Sequence, residues 1–566
     1  MLTNRNTRLY CLATVFLVVA SILTAKLFFI QIVKSETYKT AADRQYERSP
    51  GQIFNRGTIY FTSRDGKRVP AANLQTGFSL VINPTRIKNP EVVYNALTTI
   101  ISLERGNFLT RTKKINDPYE EIISHLKPEE AKAISVLKLS GVELVSQKWR
   151  SYPGKTLAAH LLGFVGYQGN DYSGRYGLEK YYENILRRKE PLSFSSFLRN
   201  IFLGLTTPTS TEDQTGDVVT TIEPTVESFL EHELEAIETN WHPAMIGGII
   251  MDPKTGAILA MGALPTFDPS GKQLNVEHLA NPLIESVYEM GSIVKPLTMS
   301  AGLDTKVVTP ETTYNDFGVI TLDGREIGNY DRRGRGIISM QEVLNQSLNT
   351  GAVYVMQKLG SEHFAKYFQD FGLLSEKTGI DLPGELSGLA NNLKSQRIVE
   401  YATASFGQGI AVTPLAITTA LSALANGGNL VRPFVTQEID YEIKLSAKTK
   451  PVIRRQVISA ETANTITTML VKVVDEALLG GQERLAHYQV AAKTGTAQIR
   501  QPGGGYYSDR YLHSFFGYFP ASNPRFSVFL YAVEPKGTEY ASATLTKPFF
   551  NITKFLLNYY QIPPDR

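Results

Sequence analysis

Three short strings of residues, in one order along the chain, contain the groups that an acyl-transfer site needs. Ser292 and Lys295 form a Ser-x-x-Lys string, Ser347 and Asn349 form a Ser-x-Asn string, and residues 493–496 read Lys-Thr-Gly-Thr. A lysine beside a serine is a recognised way to activate a hydroxyl as a nucleophile. Each string alone is a weak signal, but the ordered triple indicates a serine nucleophile with a complete set of supporting groups.

The first string is expected to open a helix. Gly291 permits a tight entry, and Pro296 is tolerated in a first helical turn. At positions i and i+3, Ser292 and Lys295 lie on one face, near the partial positive charge of the helix N-terminus. The alternative is a solvent-facing pair, which is our interpretation of a second Ser-x-x-Lys string at Ser135, inside an ordinary amphipathic pattern.

The second string is expected in a short turn between two helical stretches. There the hydroxyl of Ser347 can relay a proton, and the amide of Asn349 can bind a substrate carbonyl. The alternative is a plain capping pair.

The third string begins a series of segments typical of consecutive antiparallel strands. Gly495 would let a ligand backbone approach the strand closely. The backbone N–H groups of Thr496 and Ser292 could then share an oxyanion. A second Lys-Thr-Gly, at residues 254–256, reads as a hairpin tip and is discarded.

Composition and hydropathy indicate a membrane-anchored protein of several domains. The chain has 566 residues, of which 42% are apolar. Its formal net charge of +4 is small for this length and does not suggest a nucleic-acid surface. It has one cysteine, so an intramolecular disulfide is excluded. Residues 9–33 are almost wholly apolar and can span a bilayer of about 30 Å. Arg5 and Arg8 precede them, which places the N-terminus in the cytoplasm and the remainder outside it. A cleaved signal peptide is the alternative.

Coarse patterns predict the elements that must position the three strings. Strands are expected near residues 53–61 and 78–82, and helices over 90–103 and 118–139. A long helix over residues 223–240 and a closing helix over 548–560 would pack on the antiparallel strands of an α+β domain. The Thr-rich residues 206–215 read as a linker.

Further motifs extend the pattern over nearly the whole chain: Arg-Gly-Thr-Ile at 56–59, Arg-Ser-Tyr-Pro at 150–153, Gly-Arg-Tyr-Gly-Leu-Glu at 174–179, Gly-Gln-Gly-Ile at 407–410 and Ala-Asn-Gly-Gly at 425–428. Together with the three strings they make the chain resemble the class B penicillin-binding proteins, membrane-anchored D,D-transpeptidases of peptidoglycan synthesis. The chain departs from the usual family pattern at Met290, where proline is common, and in residues 191–217. Asn349 resembles the division (septal) type more than the elongation type.

The resemblance implies a domain plan. Residues 1–8 would be a cytoplasmic tail and residues 9–33 a single transmembrane helix. Residues 34–217 would form an elongated, non-catalytic pedestal of the dimerisation type. Residues 218–566 would form the penicillin-binding transpeptidase domain, an antiparallel sheet flanked by helices, on the extracytoplasmic or periplasmic side of the cytoplasmic membrane.

The resemblance also implies a mechanism that needs neither metal nor organic cofactor. Ser292 would attack the penultimate D-alanine carbonyl of a stem peptide, with Lys295 as the base. Ser347 and Asn349 would steer that lysine. Lys493 and Thr494 would bind the terminal carboxylate, and Thr496 would bind the substrate through its hydroxyl and its backbone. Gly495 would belong to the same substrate-binding strand.

The partners implied are stem peptides ending in D-Ala-D-Ala, β-lactams that mimic them, the membrane, a polytopic lipid II glycosyltransferase and divisome proteins. The alternatives are an elongation-type transpeptidase, a D,D-carboxypeptidase or β-lactamase, and a β-lactam sensor. Residues 342–345 are one residue short of the Glu-x-x-Leu-Asn that a common β-lactamase needs. Residues 1–8 are too few for the output domain of a sensor.

Overall fold

The computed structural model describes residues 55–114, 117–169, 171–188, 215–271, 274–442 and 445–566, and helical residues between 14 and 26. The strands in chain order are β1 (Ile59–Thr62), β2 (Arg68–Ile82), β3 (Glu120–Leu126), β4 (Val142–Ser151), β5 (Val165–Gln168), β6 (Asp171–Gly174), β7 (Gly216–Thr220), β8 (Met245–Met251), β9 (Ile258–Leu264), β10 (Thr313–Asp316), β11 (Val319–Leu322), β12 (Arg325–Gly328), β13 (Gly336–Ser339), β14 (Asn429–Val431), β15 (Thr436–Tyr441), β16 (Ala447–Lys448), β17 (Ile453–Gln456), β18 (Ala491–Arg500), β19 (Tyr506–Phe519) and β20 (Phe526–Val533). The α-helices are α1 (Pro90–Thr98), α2 (Arg105–Thr112), α3 (Pro128–Val136), α4 (Ala159–Leu162), α5 (Gly177–Tyr181), α6 (Glu183–Leu186), α7 (Pro224–Trp241), α8 (Pro282–Glu285), α9 (Lys295–Asp304), α10 (Met340–Asn345), α11 (Asn349–Leu359), α12 (Ser361–Asp370), α13 (Ile398–Ala404), α14 (Pro414–Ser422), α15 (Ala460–Lys472) and α16 (Ala541–Tyr559).

Residues 74–149 belong to one compact unit. Its sheet pairs the end of β2 with β3 and with β4, and its core is formed by the buried residues Leu80, Ile82, Val93, Leu97, Phe108, Leu126 and Ile134. The predicted helix over 118–139 is wrong in its first half, because residues 120–126 pair with β2 as a strand. The helix begins only at Pro128, which occupies its first position.

The second unit contains residues 56–73 and 150–566, and its centre is a five-stranded antiparallel sheet in the order β18-β19-β20-β8-β9. Successive side chains of a strand point to opposite faces, and the neighbours Phe515 and Phe516 in β19 are both buried. Helices α7 and α16 cover one face, and the core that includes α9 and α14 covers the other. The prediction of helices packed on an antiparallel sheet, an α+β domain, is therefore confirmed.

The two long helices of this unit differ in how well their starts were predicted. Helix α7 begins at Pro224, after Glu223, whose carboxylate accepts a hydrogen bond from the Val226 N–H. This agrees with the predicted helix over 223–240. Helix α16 begins at Ala541 and contains Pro548, so the predicted start at Pro548 is wrong. The early start follows from a distant cap, because the Ala541 N–H donates to the hydroxyl of Thr496 at 3.2 Å.

The three motifs at residues 56–59, 150–153 and 174–179 meet at one buried carboxylate in the second unit. Glu179 is fully buried and accepts hydrogen bonds from Arg56 Nε at 2.5 Å and Arg150 Nε at 2.6 Å. Burial alone would raise the pKa of Glu179, but the two guanidinium groups outweigh burial and lower it. The motifs that lie far apart in sequence therefore form one structural cluster.

Replacing Glu179 by glutamine is expected to lower the thermal unfolding midpoint clearly. The change leaves the buried Arg150 without its anion and leaves Arg56 with only the partly exposed Glu183, and breaking a buried pair typically costs about 3–5 kcal/mol. Glu183→Gln is the control, because Glu183 pairs with Arg56 at 2.7 Å but is partly exposed. Equal midpoints for the two variants, measured by differential scanning fluorimetry, would contradict this account.

Two predictions fall largely outside the described residues. Most of the predicted transmembrane segment, residues 9–33, lies there, and within the described part of the chain no helix is long and apolar enough to cross a membrane. The predicted linker, residues 206–215, lies there too, apart from its last residue. The domain boundaries at residues 33 and 217 remain predictions.

Candidate active site

Ser292 lies in a tight 3₁₀ turn, Gly291–Val294, that leads directly into α9. Pro296 occupies the first turn of that helix, so the predicted helix start is confirmed. Gly291 has φ of +65°, and a Cβ on it would stand 2.7 Å from the carbonyl oxygen of Thr496 in β18. Glycine is therefore needed where the nucleophile turn passes the strand.

Lys295 connects the first two strings. Its Nζ donates to Ser292 Oγ at 2.9 Å, to the backbone oxygen of Ser347 at 2.5 Å and to Ser347 Oγ at 3.2 Å. Lys295 is 1% exposed, and its pKa lies well below the ordinary value, first because of burial and then because of the nearby charge of Lys493. The arrangement places a readily neutralised amine within hydrogen-bond distance of two hydroxyl groups.

The second string lies between helices, as predicted. Ser347 stands in the turn between α10 and α11 with φ of +57°, a left-handed conformation that turns its hydroxyl and carbonyl toward Lys295. Asn349 is the first residue of α11, and its Nδ2 donates to the Gly328 carbonyl oxygen at 2.8 Å. Ser347 is therefore bonded to Lys295, and Asn349 is anchored to β12.

A buried polar network that the sequence reading missed holds this second string in place. Asp316 accepts hydrogen bonds from Thr350 Oγ1 at 2.7 Å and from Asn329 Nδ2 at 3.0 Å. Asn329 Oδ1 in turn accepts from the Thr350 N–H at 3.2 Å. Asp316 and Asn329 are almost fully buried. Because Thr350 directly follows Asn349, the network fixes the start of α11.

The third string lies on β18, the edge strand of the central sheet, which confirms the predicted strand. A Cβ on Gly495 would stand 2.8 Å from the Met290 carbonyl oxygen and 3.0 Å from the Ile293 nitrogen. The space next to Gly495 is thus occupied by the chain's own nucleophile turn. Lys493 and Gly495 share this face of the strand, because side chains two residues apart point the same way.

Lys493 is the second buried amine of the site. It is 4% exposed, and burial lowers its pKa to about 7. Its Nζ donates to the backbone oxygen of Thr494 at 3.1 Å. Thr494 and Thr496 are half-buried on the alternate positions of the strand. The hydroxyl of Thr496 accepts from Ala541 and retains its own proton for donation.

Ser514 is a further site residue that the sequence reading missed. It is fully buried on β19 opposite Gly495, and its Oγ donates to the Met290 carbonyl oxygen at 2.8 Å. Its hydroxyl therefore joins the sheet to the segment just before Ser292. The sequence does contain a signal for this role, because Ser514 precedes two phenylalanines in an apolar strand, and a buried hydroxyl needs a hydrogen-bond partner.

The two discarded strings make local contacts of their own. Ser135 is exposed on α3, and its hydroxyl donates to the Lys132 backbone oxygen. Lys254 lies in the turn between β8 and β9 and contacts Asn523. Both observations agree with the structural interpretations given to these strings.

The fold and the site define a serine acyl-transfer domain of the penicillin-binding type. A family model described as the penicillin binding protein transpeptidase domain matches residues 246–553, and one described as the penicillin-binding protein dimerisation domain matches residues 54–194. The chain belongs to the penicillin-binding protein transpeptidase family and also carries the dimerisation domain. The predicted family is therefore confirmed.

Curated relatives and solved structures support the same assignment. The chain is 33% identical to the stage V sporulation protein D of Bacillus subtilis, over 94% of this chain and 82% of that protein. It is 26% identical to the peptidoglycan D,D-transpeptidase FtsI of Buchnera aphidicola, over 99% and 96% of the two chains. Penicillin-binding protein 3 of Mycobacterium tuberculosis, solved with aztreonam, shares the fold with a TM-score of 0.68, 24% identity and coverage of 91% and 98%.

Proposed function

We propose that the protein is a peptidoglycan D,D-transpeptidase that works through an acyl-enzyme on Ser292. The observation that carries the proposal is the position of Lys295 Nζ, which bonds both Ser292 Oγ and Ser347. A buried lysine with a strongly lowered pKa can take a proton from a hydroxyl. The family membership and the relative named as a D,D-transpeptidase give the substrate class.

In the acylation step, Ser292 Oγ attacks the carbonyl carbon of the penultimate D-alanine. Lys295 takes the hydroxyl proton, an ester bond forms and the C–N bond to the terminal D-alanine breaks. The proton passes to the leaving amine through Lys295 and Ser347. The N–H groups of Ser292 and Thr496 hold the oxyanion, which the close approach of Gly291 to the Thr496 carbonyl supports.

The terminal carboxylate is the group that positions the substrate. Lys493 supplies a buried positive charge for it, and Thr494 and Thr496 supply hydroxyl donors from the edge strand, with Gly495 between them. The amide of Asn349 binds the stem peptide beyond the reacting carbonyl. An amine of a second stem peptide then attacks the ester, releases Ser292 and forms the crosslink. A β-lactam acylates the same serine because it resembles the D-Ala-D-Ala end.

A serine β-lactamase of the common soluble class is the less favoured alternative, because it needs a glutamate to activate the hydrolytic water. The nearest sequence candidate, Glu342, accepts hydrogen bonds from the side-chain amides of Asn345 and Gln346, both at 2.8 Å. Its carboxylate is engaged by the end of its own helix, and among the described residues no hydrogen bond joins Glu342 to Ser292. This arrangement supports a slow hydrolysis of the acyl-enzyme.

The cellular role we infer is septal cell-wall synthesis from a single-pass anchor in the cytoplasmic membrane, with the catalytic domain outside the cytoplasm. Asn349 in the second string and the relative named FtsI support this role. The apolar residues 9–33 would be the anchor, and the anchor with the pedestal would contact a polytopic lipid II glycosyltransferase and other divisome proteins. The sporulation relative, at 33% identity, favours a sporulation-type role as the second candidate.

The lifetime of the penicillin adduct tests the proposal against hydrolase functions. The full-length protein in detergent is labelled with a fluorescent penicillin, the free label is removed and the loss of the adduct is followed. A transpeptidase should retain the adduct for tens of minutes or longer, whereas a β-lactamase should lose it within seconds. An adduct that turns over rapidly would contradict the proposed function.

Raising the pH above 7 is expected to weaken the initial binding of penicillin without slowing the acylation step. The pKa of Lys493 is lowered to about 7, so its positive charge is present below this value and is lost above it. The dissociation constant Ks should rise about tenfold between pH 7 and pH 8.5, while the acylation constant k2 does not fall, because a bound carboxylate restores the charge. Stopped-flow acylation separates the two constants. Lys493→Met is the control, and its Ks should be high and independent of pH; the same pH dependence in both proteins would contradict the assignment.

A further inference from the structure

The side chain of Glu289, three residues before Ser292, joins the nucleophile segment to two other parts of the fold. The Tyr506 hydroxyl donates to Glu289 Oε2 at 2.9 Å. The backbone N–H of Gly409 interacts with the same carboxylate and with the Tyr506 hydroxyl. Burial raises the pKa of Glu289, and these two donors oppose the rise. We call this three-way contact of Glu289, Tyr506 and Gly409 the Glu289 junction.

The backbone around Glu289 is held on both sides by the segment that contains Gly409. The Tyr288 N–H donates to the Val412 oxygen at 3.0 Å, and the Val412 N–H donates back at 2.9 Å. On the other side, the Gly291 N–H donates to the Gly407 oxygen at 3.1 Å. Glu289 therefore projects its carboxylate from a fixed position.

Tyr506 lies at the other end of the junction, at the start of β19. It pairs with Arg500, the last residue of β18, across a turn closed by the bond from the Gln501 N–H to the Gly505 oxygen at 3.0 Å. A Cβ on any of the glycines at 503–505 would meet nothing within 4 Å, so the turn itself has open space around it. The Tyr506 hydroxyl is thus a contact that ties this end of the hairpin to the nucleophile segment.

Among the described residues, two side-chain hydrogen bonds join the β18–β19 hairpin to the nucleophile segment, one on each side of Thr496 in the register of the sheet. The first is Ser514, opposite Gly495, which donates to Met290. The second is the Glu289 junction, beside the pair formed by Arg500 and Tyr506. Two attachments prevent the edge strand from pivoting about one point, and the N–H of Thr496 lies between them.

We propose that Glu289 and Tyr506 are positioning residues that fix β18 against the nucleophile turn and so set the spacing of the N–H groups of Ser292 and Thr496. The inference rests on the proposed function, since it assigns these N–H groups to the oxyanion. A hydrogen bond to a carboxylate is among the stronger kinds in proteins, and a misplacement of about 1 Å at a reacting centre can slow a reaction a hundredfold. The junction should therefore affect the acylation step far more than initial binding.

Replacing Tyr506 by phenylalanine tests the proposal in the full-length protein. The variant keeps the ring and loses the bond to Glu289, and k2 for fluorescent penicillin should fall about tenfold while Ks changes less than about twofold. Tyr507→Phe is the matched control, because the neighbouring Tyr507 ring stacks on Arg510 and no hydrogen bond of its hydroxyl is found among the described residues. The control should keep the wild-type k2.

A conservative replacement separates positioning from a general loss of structure. Glu289→Gln keeps an oxygen that accepts from Tyr506 and should retain k2 within about threefold, whereas Glu289→Ala should match Tyr506→Phe. Equal k2 values for Tyr506→Phe and Tyr507→Phe would overturn the proposal, and so would a change confined to Ks. Failure of the wild-type protein to form any Ser292 adduct would instead overturn the proposed function, so the two failures are distinguishable.

Discussion

Replacing Ser292 by alanine is expected to abolish covalent labelling by penicillin, with a loss of more than about a thousandfold in the acylation rate. The reason is that Ser292 Oγ is the proposed nucleophile, and Lys295 Nζ lies 2.9 Å from it and 3.2 Å from Ser347 Oγ. The variant should fold normally, because Ser292 is half-buried and its replacement removes one oxygen. Labelling with a fluorescent penicillin, followed by peptide mass spectrometry of the adduct, measures the effect directly.

The control for this experiment is Ser135→Ala, because Ser135 has the same spacing to a lysine. Ser135 is exposed on α3, and its hydroxyl bonds its own helix. Labelling of this variant should equal that of the wild-type protein. Retained labelling in Ser292→Ala, or lost labelling in Ser135→Ala, would contradict the assignment of the nucleophile.

The parts of the site that could be predicted from sequence are those in which local geometry decides the structure. Ser292 and Lys295 stand one helical turn apart, and the flanking Gly291 and Pro296 already specify a tight entry into a helix. The loose alternation around Lys493, followed by a Gly-rich loop and further apolar segments, likewise indicates consecutive antiparallel strands, but not their place in the sheet. The ordered strings therefore indicated the nucleophile, the lysine and the strand before any contact between them was known.

The parts that could not be predicted depend on contacts between residues far apart in sequence. Ser514 bonds Met290 across more than two hundred positions, and Asp316 supports Thr350 through a network that no local pattern announces. The start of α16 belongs to the same class, because its first N–H is capped by Thr496 rather than by a neighbouring residue. Periodicity reports which side chains face a core, but it does not report which buried polar groups become partners.

Among substitutions of residues other than the nucleophile, Lys295→Arg is expected to slow acylation most. An ordinary lysine is almost fully protonated at pH 7 and cannot accept a proton, but the pKa of Lys295 is strongly lowered by burial and by Lys493. Arginine keeps the positive charge and hydrogen-bond donors but cannot act as a base. The acylation constant k2 should therefore fall by about 10²–10⁴-fold, the usual contribution of a general base.

The pH profile of the wild-type protein provides the second half of this test. The neutral amine is present above the pKa of Lys295, so k2 should rise with pH through that lowered value and then stay level. A lysine with an ordinary pKa would instead make k2 rise tenfold per pH unit up to about pH 10.

Lys295→Met provides a control for size, because a guanidinium larger than the buried site could disturb Ser347 by volume alone. If Lys295→Arg acylates close to the wild-type rate while Lys295→Met does not, Lys295 acts only as a hydrogen-bond donor and the base must be another group. If both variants lose acylation and both still unfold at the wild-type midpoint, the proton acceptor is the amine of Lys295.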